Sequence, residues 1–233
     1  MTRATTTSSP SRPQQQRREA ALALTQRYQL MTSSALSGLR RDLFPHEGTA
    51  RQLLTTLARQ GLLATARLYR NRSYFYRENP DYFGRAFSEP SKIRAYAMLA
   101  VCATPSARRC RLSREEFQQH FADTYRPGLP MNYYVDLGQS HPVLGFVRVD
   151  QGGSGRWDRI VAKALSDARK HRLERAFSPF LERDALEVRI VTSLPQKADR
   201  LRRVLTAEPS RSGIPIHVSV VPELINLIAP LPS

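Results

Sequence analysis

The stretch that decides the N-terminal fold is residues 49–77, which read TARQLLTTLARQGLLATARLYRNRSYFYR. Its first half carries four apolar residues at the spacing of a single helical face: Ala50, Leu53, Leu54 and Leu57. Gly61 follows at the position where helices commonly end in the left-handed conformation. The second half places apolar and aromatic residues on both sides of a polar tip at residues 69–72, which predicts two short strands. The stretch therefore predicts a helix over residues 49–60 and a β-hairpin after it.

Two more helices are predicted upstream of this stretch. Residues 17–30 show a helical pattern of apolar side chains, and Thr32 or Ser33 is placed to cap a short helix that ends before the break at residues 45–48. Three helices followed by a hairpin are the elements of a winged helix-turn-helix, whose recognition helix enters the major groove of DNA. We assign residues 17–78 to such a module.

The polar face of the third helix predicts contacts with double-stranded DNA. Its side chains are short or flexible hydrogen-bonding groups with no acid among them: Arg51, Gln52, Thr55, Thr56 and Arg59. Arg51 and Gln52 lie nearest the N-terminus of the helix and are the candidates for base contacts, whereas Thr49 and Thr55 are placed for phosphate. The hairpin adds groups suited to the DNA backbone: Arg67, Arg70, Asn71 and Arg72. An ordinary surface helix and a charge-protected hairpin edge would show the same two patterns.

The charge of the chain indicates a polyanionic partner. The 233 residues include 36 Lys and Arg against 20 Asp and Glu, a net charge of +16, and 41% apolar residues, enough for a core. Residues 1–77 hold 13 of the basic residues and only 3 acids, which is typical of nucleic-acid binding. Arginine outnumbers lysine 32 to 4, a bias that favours phosphate and guanine recognition but also follows from a GC-rich genome.

Several classes of protein are excluded by the same composition. Two cysteines, Cys102 and Cys110, are too few for a disulfide scaffold or a cysteine-based zinc site. The chain has no run of 18 apolar residues, and residues 1–16 lack the apolar segment of a secretory signal, so no membrane association is expected. The histidines have no metal-ligand spacing, and no serine or cysteine has a partnered base. We therefore expect a cytoplasmic, nucleoid-associated protein without a cofactor or a metal.

The rest of the chain predicts a second domain. Residues 1–16 are rich in Ser, Thr, Gln and Pro and predict a disordered tail, and residues 79–90 lie between prolines and predict a linker. Residues 91–233 alternate apolar strands with long helices, the pattern of an α/β domain. The fold class expected for the whole chain is α+β.

Two acids at strand positions, Asp136 and Asp150, leave open an alternative function as a Mg²⁺-dependent nuclease. The carboxylates would hold the metal, and Lys163 on the following helix would orient the attacking water. Arg148 counts against this site because it shares a strand face with Asp150, and it is expected to pair with Asp136 or Asp150. Gly152 also stands where a lysine would suit the site.

The helix predicted over residues 157–175 is the most basic element of the second domain. It carries six cations: Arg159, Lys163, Arg169, Lys170, Arg172 and Arg175. These side chains could add a second phosphate-contacting surface or form a solvated face. The glycine-rich turn before the helix, residues 151–155, lacks the spacing of a nucleotide-binding loop.

The order of these elements resembles that of a known family. A module reading TARQLLTTLARQGLL…YRNRSYFYR precedes a domain reading YYVDLG…VLGFVRVDQGGSGRWDRIVAKALSDARKH. Over residues 17–228 this arrangement is similar to the replication-relaxation family of plasmid and mobile-element proteins. The resemblance implies DNA binding by the N-terminal module and a C-terminal domain with the restriction-endonuclease-like fold. That family usually has Glu-x-Asp where this chain has Arg148-Val149-Asp150, which implies a catalytically degenerate fold kept for dimerisation or partner binding.

These observations together predict a sequence-specific double-stranded DNA-binding protein of a bacterial mobile element. It would act in transcription regulation or as a replication or transfer accessory factor. A homodimer is expected because paired half-sites add specificity to one short recognition helix, and a replication, transfer or transcription protein is a further expected partner. The alternatives are the nuclease with Asp136, Asp150 and Lys163, and an adaptor whose winged module docks another protein.

Overall fold

The computed structural model describes residues 11–69, 72–76, 88–104, 108–123, 125, 132–151, 157–207 and 213–228. These residues form a mixed α+β protein, as the sequence predicts. The N-terminal part contains three helices and a hairpin: α1 (Arg12–Tyr28), α2 (Ser33–Leu39), α3 (Glu47–Arg59), β1 (Ala64–Tyr69) and β2 (Arg72–Tyr76). The order of these five elements agrees with the sequence-based prediction.

Helix α1 begins five residues earlier than predicted, so the prediction of a disordered tail over residues 1–16 is wrong for residues 12–16. Pro13 stands in the first turn, where a missing backbone N–H costs no helical hydrogen bond. The side-chain oxygen of Gln14 accepts a hydrogen bond from the backbone N–H of Ser11 at 3.2 Å, which satisfies a donor at the helix start. Residues 1–10 lie outside the described residues.

Two predicted helix boundaries are confirmed. The Thr32 hydroxyl oxygen accepts a hydrogen bond from the Ala35 backbone N–H at 3.2 Å and so caps α2. Gly61, just past the end of α3, has a φ of +73°, the left-handed conformation that a residue with a side chain rarely adopts. Helix α3 itself begins at Glu47, two residues before the predicted start.

The segment between α1 and α2 pairs with the hairpin through a single β-bridge. Met31 and Phe75 exchange backbone hydrogen bonds of 2.7 and 2.8 Å, and β1 pairs antiparallel with β2. The predicted apolar face of α3 is buried at three positions and half-buried at Leu53: the buried residues are Ala50, Leu54 and Leu57. Burial of this face holds α3 against α2 within the N-terminal cluster and leaves its opposite face in solvent.

The second part of the chain is an α/β unit built around one sheet. Its elements are α4 (Glu89–Cys102), β3 (Arg109–Arg111), α5 (Arg114–His120), β4 (Tyr133–Asp136), β5 (Val143–Val149), α6 (Trp157–Leu173), α7 (Ser178–Leu181), β6 (Leu186–Thr192), α8 (Pro195–Ala207), β7 (Ile216–Val220) and α9 (Ile225–Ile228). A capping box of Ser113 and Glu116 opens α5, with hydrogen bonds of 3.1 and 2.8 Å.

The strands of the sheet lie in the order β3-β4-β5-β6-β7. β4 runs antiparallel to both of its neighbours, whereas β6 and β7 run parallel to β5. Parallel neighbours require a crossover connection, and α6 and α8 supply the two crossovers. Successive side chains along each strand alternate between the two faces of the sheet.

The two faces of the sheet belong to two hydrophobic clusters. Leu144 and Phe146 point to the face covered by α6 and α8. Tyr134 and Val147 point to the opposite face, where they share a cluster with α4, α9, the hairpin and the N-terminal helices. One cluster therefore extends from the predicted DNA-binding module into the sheet. Its members come from the chain both before and after residues 79–90.

Two elements differ from the sequence-based prediction in this region. Helix α4 begins at Glu89, with Pro90 in its first turn, so the last two residues assigned to the linker are helical. Residues 79–87 lie outside the described ranges. Strand β3 has no counterpart in the prediction, because an alternating Arg-Cys-Arg triplet lacks the apolar pattern that marks a strand.

Candidate nucleic-acid interface

The outer face of α3 presents most of the predicted DNA-contacting residues to solvent. Four of the side chains are exposed: Arg51, Gln52, Thr56 and Arg59. Thr49 and Thr55 are half-buried. The Thr56 hydroxyl donates to the Gln52 backbone carbonyl at 2.9 Å, which leaves its oxygen free to accept. From Thr49 to Arg59 the helix therefore offers a row of hydrogen-bonding groups about three turns long at 3.6 residues per turn.

One acid, Glu47, lies at the start of this helix, outside the residues predicted for the site. Glu47 accepts a hydrogen bond from the Ser33 hydroxyl at 2.8 Å and one from the Arg51 guanidinium at 3.1 Å. The Ser33 hydrogen bond and the Arg51 charge hold the pKa of Glu47 below its ordinary value. Glu47 therefore ties α2 to α3. It also holds the Arg51 side chain along the helix, because an acid four positions before an arginine lies next to it on the helix surface. Its position outside the predicted helix is the reason that sequence reasoning missed it.

The hairpin places two of its four predicted residues within the described ranges. Arg67 is exposed on β1. Arg72, at the start of β2, lies 3.7 Å from the Glu223 carboxylate just before α9. Both partners of this ion pair are more than one third exposed, so the pair is weak and Arg72 can turn toward another anion at little cost. Arg70 and Asn71, the residues predicted at the tip, lie outside the described residues.

The three residues of the alternative nuclease site do not come together. Asp136 pairs across the sheet with Val143, the first residue of β5, whereas Asp150 follows the last residue of that strand. At about 3.3 Å per residue, β5 holds the two carboxylates roughly 20 Å apart. Asp136 binds the Arg109 guanidinium at 2.8 Å and accepts from the Gly138 backbone N–H at 2.9 Å. Antiparallel register thus separates two acids that lie close in sequence.

Asp150 lies at the carboxyl end of β5 with partners other than the predicted ones. Its carboxylate lies 2.7 Å from the ammonium of Lys197, on α8, and accepts from the Thr192 hydroxyl at 3.0 Å. Lys163 is exposed on the solvent side of α6. The expectation that Arg148 pairs with Asp136 or Asp150 is wrong, because Arg148 forms its ion pair with Asp167 on α6. Each of the two carboxylates is thus neutralised by a cation of the fold.

A polar junction connects the N-terminal helices to the sheet. The Arg27 guanidinium, at the end of α1, lies 2.5 Å from the Glu116 carboxylate on α5 and donates to the Arg111 carbonyl at 3.2 Å. The Arg111 guanidinium in turn donates to the Arg27 carbonyl at 2.9 Å. These reciprocal contacts join residues more than 80 positions apart and hold α1 against β3 and α5. A sequence pattern carries no signal for pairs at this separation.

Three general properties of the chain bear on its classification. In the parts of the chain that the structure describes, no helix is long and apolar enough to cross a membrane. Over the same ranges, no group of three or more His, Cys, Asp or Glu side chains is arranged to hold a metal ion. Comparison of the chain with protein-family models, with curated proteins and with solved structures gives no match.

Proposed function

We propose that residues 17–78 form a winged helix-turn-helix module that binds double-stranded DNA through α3 and the β1–β2 hairpin. The observation that carries this proposal is the exposed face of α3, which offers Arg51, Gln52 and Arg59 while its other face is anchored in the core. A helix held in this way can enter the major groove and reach base edges with its free side. The Met31–Phe75 bridge fixes the hairpin to the segment between α1 and α2, and Arg67 and Arg72 of the hairpin suit phosphate contacts.

The second part of the chain serves the DNA-binding module in this proposal. Its sheet with helices on both faces is compatible with a restriction-endonuclease-like fold, and the carboxylates that a nuclease would need are separated and neutralised. We assign to it dimerisation or the docking of a replication, transfer or transcription protein. The whole chain would then be a regulator or accessory factor of a bacterial mobile element, located in the cytoplasm with the nucleoid.

The test of the proposal is a selection of duplexes from a randomised DNA library with the purified full-length protein near physiological salt. We expect enrichment of a defined motif, with a palindrome if the protein binds as a homodimer. The dissociation constant of the selected duplex should rise steeply between 50 and 200 mM salt, by a factor of about 10³ if six phosphates are neutralised. Failure to enrich any duplex would overturn DNA binding and favour the protein-docking adaptor.

Replacement of Arg51 by alanine is expected to weaken binding of the selected duplex by about 1–3 kcal/mol and to relax the preference at one base position. The reason is that a guanidinium near the start of a recognition helix forms two hydrogen bonds with a guanine. The measurement is fluorescence anisotropy on the selected duplex and on duplexes changed at single positions. Arg183→Ala, which removes an exposed arginine near β6, is the matched control and should leave binding unchanged. An equal loss on every duplex would show that Arg51 contacts phosphate only.

A further inference from the structure

A strongly basic surface lies on α6, apart from the α3 site. Three cations and one small polar residue recur once per turn along the exposed side of the helix: Arg159, Lys163, Ser166 and Lys170. The steps of four, three and four residues keep these side chains on one line. At about 1.5 Å per residue the line is about 16 Å long. Arg169 is exposed beside it.

Within the described ranges, the three cations of this line form no ion pair with an acid. None of the ion pairs among the described residues involves Arg159, Lys163 or Lys170. Of the two acids on α6, Asp167 is buried against Arg148, which leaves Asp158 as the exposed one. By contrast, Arg51 of the α3 face is paired with Glu47. The electrostatic attraction for a polyanion is therefore less compensated on α6 than on α3.

Helix α8 packs beside α6 and adds a cation near its first turn. The Arg200 guanidinium stacks over the Trp157 ring with 4.4 Å to the ring centroid, which fixes a cation beside the first turn of α6. Arg203 is exposed one turn further along α8. We name the line of Arg159, Lys163 and Lys170, together with Arg200 beside the first turn of α6, the α6–α8 surface.

The α6–α8 surface and the α3 site lie on opposite sides of the sheet. Helices α6 and α8 pack on the face that carries Leu144 and Phe146, whereas α3 belongs to the cluster that covers Tyr134 and Val147. Helix α3 connects to the sheet through α2 and α4, and α4 packs on β5. These helices and the sheet therefore lie between α3 and the α6–α8 surface.

We propose that the α6–α8 surface binds a second segment of duplex DNA, so that one molecule joins two segments. This inference rests on the proposed DNA-binding function of α3. A line of 16 Å spans about five phosphates of one strand at about 3.4 Å per phosphate along the DNA axis. Lysine and exposed arginine on such a line are suited to phosphate contacts, which position DNA without reading its sequence. The second segment is therefore held without sequence preference.

The test is a capture experiment with the full-length protein. The duplex selected by α3 is fixed to beads through biotin, the protein is added, and recovery of a fluorescent duplex of unrelated sequence is measured. The triple variant Arg159→Gln, Lys163→Gln, Lys170→Gln should recover at least tenfold less of the fluorescent duplex, with a dissociation constant for the fixed duplex within threefold of the wild type. The control variant Arg94→Gln, Arg114→Gln, Arg183→Gln makes the same charge change at other exposed positions and should recover as much as the wild type.

The outcomes separate this inference from the proposed function. If the wild type binds no duplex, the proposed DNA-binding function fails and takes this inference with it. If the wild type binds the fixed duplex but recovers no second one, only this inference is overturned. Equal recovery by the triple variant also overturns it, and then the second duplex is held by the α3 site of another copy. If the surface binds an acidic protein instead of DNA, the triple variant and the wild type would likewise recover equal amounts of the fluorescent duplex.

Discussion

Replacing Gly145 with alanine is expected to lower the free energy of unfolding by about 4 kcal/mol, since overpacking a core and disrupting its hydrogen bonds each cost about 1–3 kcal/mol. Gly145 is buried in the middle of β5, opposite Tyr134 on β4. The Tyr134 ring lies directly over the glycine, and a Cβ at this position would fall within 3.0 Å of three ring carbons. The absence of a side chain at residue 145 is thus the condition for this packing.

The Tyr134 ring cannot move aside without breaking further contacts. Its hydroxyl donates to the Glu187 carboxylate and accepts from the Arg189 guanidinium at 2.9 Å. The Arg109 guanidinium lies over the ring, 5.6 Å from its centroid. The side chains of Glu187 and Arg189 are nearly buried, so a displaced ring would leave charged groups with unsatisfied hydrogen bonds.

Urea unfolding followed by circular dichroism measures this effect. Gly48→Ala is the matched control, because a Cβ at that exposed position on α3 meets no atom within 4 Å, and alanine there should be neutral or stabilise by up to about 1 kcal/mol. In a Tyr134→Ala background the clash is absent, so Gly145→Ala should cost less than about 1 kcal/mol there. A similar cost in both backgrounds would contradict the role assigned to the ring.

The N-terminal elements could be predicted from sequence because their signals are local. The stripe of Ala50, Leu54 and Leu57 and the left-handed Gly61 each depend on residues within one or two helical turns. The exposed face of α3 follows directly from that stripe. The predicted start of α3 lies two residues after the observed one, and for that reason the predicted site does not include Glu47.

The partners of charged side chains could not be predicted, because they depend on strand register and on crossovers. Asp136 and Asp150 are 14 residues apart in sequence, yet the antiparallel pairing of β4 and β5 places them at opposite ends of β5. Lys197 reaches Asp150 only because β6 lies beside β5 and α8 starts where β6 ends. Composition and spacing contain neither the register nor the order of strands.

Replacing Asp150 with alanine is expected to destabilise the protein by about 3–5 kcal/mol, the usual cost of leaving one member of a buried ion pair without its counter-charge. The Asp150 and Lys197 side chains are 9% and 13% exposed, so solvent compensates little of the loss. The Thr192 hydroxyl loses its acceptor as well. Asp42→Ala is the control: it breaks the exposed pair with Arg40, which should cost less than about 1 kcal/mol.

A double variant distinguishes the ion pair from a general intolerance of change at this end of the sheet. Asp150→Ala combined with Lys197→Met removes both charges, and it should recover at least half of the stability lost in the single variant. If the double variant is as unstable as the sum of the two single ones, the contact between the two side chains does not account for the effect.

The stability of Asp150→Ala also decides how a nuclease assay is interpreted. Loss of DNA cleavage in Asp150→Ala would follow from unfolding alone, whereas Lys163→Ala, at an exposed position, leaves the core intact, and DNA binding measured alongside separates a catalytic loss from a loss of the α6–α8 surface.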